Sequence, residues 1–202
     1  MRVTQLIIPT LAVAALAGAP AAAASGSSGS GPDPTATGAS GGAGVGAPPP
    51  GVSTVAHPLV IGSVAKIRHG VAYAPSYAPI QVQRAIWAGN LIRKKPYIWG
   101  GGHGTFNDVG YDCSGSVSYV LHAAGLIGTP MDSSEFMSWG QTGLGRWITV
   151  YTNPGHAFVQ IAGVRFDTSS EADPHPAPGT GPHWRPLFRH PAGFSARHPL
   201  GL

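Results

Sequence analysis

The stretch Asp112-Cys113-Ser114-Gly115-Ser116-Val117-Ser118-Tyr119-Val120-Leu121-His122-Ala123-Ala124-Gly125 decides how this chain is read. Val117, Val120, Leu121 and Ala124 follow Cys113 by 4, 7, 8 and 11 positions, so a helix puts Cys113 on the face that packs inward. Gly125 closes that helix. Cys113 falls in its first turn, where the positive end of the helix dipole and a neighbouring imidazolium would lower a thiol's pKa and yield a thiolate nucleophile.

Working downstream, His156 to Ile161 and Val164 to Asp167 are short alternating runs joined by Ala162-Gly163, a two-residue hairpin turn. That turn pairs Ile161 with Val164, Val159 with Phe166 and Phe158 with Asp167. Ala157, Val159, Ile161, Val164, Phe166 and Thr168 then form a core face, and His156, Phe158, Gln160, Arg165 and Asp167 a second, polar face. His156 and Asp167 become diagonal neighbours about 7 to 8 Å apart, close enough for the carboxylate to orient the imidazole. His103, in the Gly-rich turn Gly100 to Gly104, is a rival base, but nothing beside it in sequence supplies an acid.

Upstream, Pro79 opens a helix whose stripe is Ala85, Ile86, Gly89 and Ile92, ending in Arg93-Lys94-Lys95 before Pro96. After the Cys113 helix, Ser133, Ser134 and Glu135 cap a short third helix through Trp139, and Trp147 to Tyr151 is strand-like. Beyond Asp173 the tail is rich in Pro and His and is expected to wrap in extended form, adding an edge strand near Trp184.

The chain has 202 residues, with 30 Gly, 20 Pro and only 10% charged side chains, an unusual balance for one compact domain. Arg2, the apolar stretch Leu6 to Ala17 and the small residues Ala21 to Ser25 read as a secretory signal peptide over 1–24. Residues 25–56, almost all Gly, Ala, Ser, Pro and Thr, read as a disordered linker, leaving 57–202 as one domain. No later segment would anchor the mature chain in a membrane. Export together with a single cysteine excludes an internal disulfide and points to a reactive thiol.

A net charge of +4 with one short basic run gives no nucleic-acid stripe. His175, His183, His190 and His198 lack paired ligand spacing, so no metal is expected, and no Gly-Lys-Ser or Gly-Lys-Thr follows the Gly-rich turn to make a phosphate loop. No cofactor is implied, and the chain is read as a monomer.

Tyr97-Ile98-Trp99-Gly100-Gly101, Asp112-Cys113-Ser114-Gly115, Gly155-His156 and Asp167 fall in the order found in NlpC-type cell-wall cysteine peptidases, which residues 80–170 resemble. The resemblance implies an α+β, papain-like fold with helices on a small antiparallel sheet. It implies Cys113 as nucleophile, His156 as general base and later acid, Asp167 as the residue orienting His156, and Tyr97 as an oxyanion donor. Asp112 and Ser114 would contact the free amine of a peptidoglycan stem peptide.

The implied activity is secreted, wall-associated hydrolysis of a stem-peptide amide, the γ-D-glutamyl–diaminopimelate bond or a neighbour. A non-catalytic wall-binding protein and an amidase or acyltransferase on the same fold are the alternatives. The chain departs from the usual pattern in carrying Asp167 where His is common, in its long Gly100 to Gly110 loop and in having no wall-binding repeat. Asp112 also suits a plain helix cap. Trp99 is expected in the core, and Tyr97 suits either the core or catalysis.

Overall fold

The structure, a computed structural model, describes residues 57–176, 178–186, 189 and 191–202. Residues 1–24 and 25–56, read from the sequence as signal peptide and linker, and His190 lie outside the described residues. The chain opens with β1 (Leu59–Val60), β2 (Lys66–Arg68) and β3 (Val71–Pro75), which form a small sheet ordered β1-β3-β2. Helices α1 (Ile80–Ile92), α2 (Cys113–Ala123) and α3 (Ser133–Phe136) follow. Then come β4 (Gln141–Thr142), β5 (Ile148–Asn153), β6 (His156–Ile161), β7 (Val164–Asp167), β8 (His183–Arg185) and β9 (Ser195–His198). These six strands form an antiparallel sheet in the order β4-β9-β5-β6-β7-β8.

The fold is α+β, and α2 lies between α1 and the face of β6 and β7. Its stripe is the expected one: Val117, Val120 and Leu121 are fully buried, with Ala124 and Cys113 nearly so. Facing it, Ala157, Val159, Ile161, Val164 and Phe166 supply the sheet's side of the core. Each of the larger residues contributes about 1.5–3 kcal/mol through burial. The α2 C-terminus closes with Leu126 N–H to Leu121 O at 2.9 Å and Gly125 N–H to His122 O at 2.8 Å, the paired bonds of a Schellman motif. Gly125 sits at φ +74°, as that motif needs.

The β6–β7 register matches the expectation, with Val159 opposite Phe166 and Ile161 opposite Val164. Ala162 and Gly163, at φ +49° and +87°, make the turn. The second face of this hairpin is not a wet polar surface, however. Phe158, Arg165 and Asp167 are wholly buried because the C-terminal tail covers them.

Several local expectations need correction. The third helix ends at Phe136, and its cap is Asp132, one residue earlier than expected, in a reciprocal capping box with Glu135. The expected strand at Trp147 to Tyr151 is shifted to Ile148–Asn153. The tail does add an edge strand at Trp184, β8, but it also returns as β9 inside the sheet, between β4 and β5. The β2–β3 hairpin, turned at His69-Gly70 with φ +51° and +72°, had no counterpart in the sequence reading.

Candidate active site

Cys113 is the first residue of α2, and the cap beneath it is Asp112, whose Oδ1 accepts from Gly115 N–H at 2.7 Å. The Gly-rich loop packs directly against this turn. A Cβ on Gly115 would come within 2.0 Å of the Gly101 carbonyl oxygen, so only glycine allows the approach. Gly100 N–H donates to Asp112 Oδ2 at 3.1 Å and Asp112 N–H to Gly101 O at 3.2 Å. The loop and the nucleophile's turn are thereby held as one piece.

His156 is placed by a tight turn. Asn153 Oδ1 accepts from Gly155 N–H and His156 N–H, both at 2.9 Å, as β5 passes into β6. The imidazole then donates from Nε2 to Asp167 Oδ1 at 2.9 Å, the diagonal contact expected across the hairpin. With Nε2 engaged, Nδ1 is the ring nitrogen left for Cys113, with which His156 shares a hydrogen bond. Asp167 Oδ1 also accepts from Ser169 N–H at 2.8 Å, and Oδ2 from Arg189 Nη1 at 3.1 Å.

The electrostatics follow from this geometry. Burial would raise the Cys113 thiol, but the His156 hydrogen bond, the Ala157 N–H and the imidazolium charge hold it below its ordinary value. Burial would likewise lower His156, but bonds to Asp167 and Cys113 and their negative charges raise it to about 9. Together these favour a thiolate–imidazolium pair at neutral pH. The hydroxyl of Tyr97 is raised by partial burial and by the nearby charges of Cys113 and Asp112, which places it in their electrostatic neighbourhood. Its backbone is fixed by a bridge to Tyr111.

Cys113 opens into a cleft of about 300 Å³ lined by Trp99, Gly100, His103, Asp112, Ser114, Asp132 to Ser134, Pro154 and Gly155. Two expectations fail here. Trp99 is not a core residue; it is 86% exposed at the cleft, because the chain turns sharply at Gly100, φ +74°, and swings the ring away from the core. His103 does have an acid beside it: its Nε2 donates to Asp112 Oδ1 at 3.0 Å and lies 3.2 Å from Ser114 Oγ. The signal for that pair was the loop's return to the helix start nine residues later. Nε2 of His103 is thereby directed at Asp112 and Ser114, whereas the imidazole of His156 is the one held by Asp167.

The remaining histidines are dispersed. Nδ1 of His183 donates to Gly181 O at 2.7 Å and that of His198 to Gly143 O at 3.1 Å, while His175 is exposed. Among the described residues no cluster of three or more His, Cys, Asp and Glu is arranged to hold a metal, and no helix is long and apolar enough to cross a membrane.

No model of a known protein family matches the sequence, and no curated protein matches it. Among solved structures, the chain is similar to the peptidoglycan hydrolase RipB from Mycobacterium tuberculosis, with 20% identity and a TM-score of 0.44 over 59% of this chain. That match spans 64% of RipB, less than two thirds of its length. The P60 domain of an antigen from M. avium paratuberculosis is 21% identical, with a TM-score of 0.45 over 60% of this chain and 94% of that domain. A NlpC/P60 family protein from Bacillus cereus is 20% identical, with a TM-score of 0.43 over 58% of this chain and 39% of that protein. The NlpC/P60 proteins to which the sequence motifs point are thus among the solved structures this chain is similar to.

Proposed function

We propose that this chain is a cysteine peptidase that hydrolyses an amide bond in the stem peptide of bacterial peptidoglycan, the γ-D-glutamyl–diaminopimelate bond or its neighbour. The observation that carries the chemistry is the chain of contacts from Cys113 through His156 to Asp167 at the start of a buried helix. A pure binder needs none of it.

In the reaction the Cys113 thiolate attacks the amide carbonyl carbon, forming the C–S bond and a tetrahedral oxyanion. Tyr97 is proposed to donate to that oxygen. The C–N bond breaks as the His156 imidazolium gives its proton to the leaving amine, leaving a thioester on Cys113. Neutral His156 then takes a proton from water, which attacks the thioester and releases a carboxylic acid. The sulfur leaves as thiolate, restoring the ion pair. Asp167 holds the imidazole's orientation throughout.

Asp112 and Ser114 line the same cleft and are proposed to meet the free amine of the stem peptide. The Asp112 carboxylate is already shared among Gly115, Gly100 and His103, so an incoming ammonium competes with the His103 imidazole for it. Residues 1–24 are proposed to export the chain and to be cleaved off, with 25–56 as a spacer, which places the enzyme outside the cell at the wall.

The test is mass spectrometry of purified stem peptides and muropeptides incubated with the protein and with Cys113→Ala. A new pair of fragments made only by the unsubstituted protein supports the proposal and identifies the bond. Intact substrates in both samples would favour a non-catalytic wall-binding role.

A further inference from the structure

Behind the His156–Asp167 pair lies a set of arginines that the mechanism above does not use. Arg165 and Arg185 are fully buried, and Arg189, from the tail between β8 and β9, is 9% exposed. Arg185 donates from Nε to the Asp167 carbonyl oxygen at 3.1 Å and from Nη1 to Asp173 at 3.1 Å, stitching down the loop that follows β7. Arg189 goes further inward, to the carboxylate itself. Its Nη1 donates to Asp167 Oδ2 at 3.1 Å and its Nη2 lies 2.8 Å from Glu171 Oε2.

The Arg189 guanidinium is clamped between two rings, 5.0 Å from the centroid of Phe158 and 5.1 Å from that of Phe194. Phe194, also from the tail, meets His156 edge-on at 6.2 Å. This part of the tail is fastened to the turn that sets His156, because Asn153 Nδ2 donates to Gly193 O at 3.2 Å while Asn153 Oδ1 holds the His156 N–H. Arg165 Nε approaches Asp167 Oδ2 only to 3.6 Å and has no hydrogen-bond partner among the described residues, so Arg189 makes the close contact.

A carboxylate has two oxygens and can pivot between partners. Here Oδ1 serves His156 and Oδ2 serves Arg189. We propose that Arg189 is a positioning residue of the catalytic site: its guanidinium, brought in by the C-terminal tail, fixes Asp167 so that one oxygen is reserved for His156. This rests on the reading of Cys113, His156 and Asp167 as a catalytic set. The groups that bear on His156 are Cys113 from α2, with Asp112 beside it, and Asp167 from β7. Behind Asp167 stand Arg165, Arg185, Arg189 and Glu171. Loss of Arg189 would free Asp167 to turn, weaken its bond to His156 and so weaken the imidazolium that stabilises the thiolate.

Because Cys113 is the only cysteine, its alkylation by iodoacetamide as a function of pH reads the ion pair with no substrate present. That reading holds whether or not stem peptides are cleaved, so failure of the proposed function and failure of this inference are separable. In Arg189→Ala the thiolate step should move up by about one pH unit, which on the acid side of that step is about a tenfold loss of alkylation rate. Ethylguanidinium should restore much of the rate, and ethylammonium at the same ionic strength should not. Should Arg189→Ala lose its cooperative melt, Arg189→Lys carries the pH-profile reading, since it keeps a charge but not the fork. A profile superimposable on that of the unsubstituted protein, or equal rescue by both cations, would overturn the proposal.

Discussion

The β6–β7 hairpin and the C-terminal tail both hold the His156–Asp167 pair, and they do it in opposite ways. The hairpin does so locally: His156 and Asp167 are eleven positions apart, and a two-residue turn with both φ values positive fixes the register that brings them to 2.9 Å. The tail does so from a distance, with Arg189 reaching a carboxylate 22 positions earlier and Asn153 bonding 40 positions ahead to Gly193. Local geometry selects which side chains meet, and the long-range contacts exclude water and fix the orientation of what has met.

A one-residue insertion between Ala162 and Gly163 has the largest expected effect. It shifts Asp167 to the opposite face from His156 while leaving every tail residue in the sequence. Activity on stem peptides should fall by about 10³-fold, in line with the loss of an oriented general base. Retained activity would mean that the tail, not the hairpin, sets the register.

The profile of kcat/KM should be bell-shaped, with an acid limb below the ordinary thiol range, where the Cys113 thiolate is protonated, and an alkaline limb near 9, where His156 loses its proton. The same coupling acts on stability. The folded pKa of His156 lies above its unfolded value, so its contribution is fully present below about 6.5 and is lost as pH rises through about 9. The difference in Tm between the protein and His156→Ala should therefore shrink across that interval. A difference that widens instead would contradict the assigned charge state.

Smaller effects separate helix capping from recognition. Asp112→Ala removes the cap and should cost about 0.5–2 kcal/mol in denaturant unfolding, along with activity. His103→Ala leaves the cap in place and removes only the imidazole competing for the carboxylate. It should lower KM for stem peptides bearing a free amine, by less than about tenfold, with kcat little changed. An unchanged KM would place amine recognition elsewhere.

What was legible in the sequence tracks the same division. Cys113 with Val117, Val120 and Leu121, and the hairpin that joins His156 to Asp167, could be read because helix and hairpin periodicities act over a few residues. Arg189 and Phe194 could not, since nothing near them in a Pro- and His-rich tail signals a buried guanidinium stacked on Phe158. The placement of β9 inside the sheet was missed for the same reason, its partners being β4 and β5 rather than its chain neighbours. Trp99 was misplaced because a large aromatic ring normally enters a core, and only the turn at Gly100 reverses that preference. The His69-Gly70 turn was a readable hairpin signal, with alternating Lys66-Ile67-Arg68 before it and Val71-Ala72-Tyr73 after.

Whether Cys113 forms a covalent thioester with its substrate is read by intact-protein mass spectrometry of an acid-quenched reaction with stem peptide. A mass increase equal to the acyl fragment is expected, located on Cys113, removed by hydroxylamine and absent in Cys113→Ala. Cleavage that continues in Cys113→Ala, with no adduct on the unsubstituted protein, would contradict thioester formation.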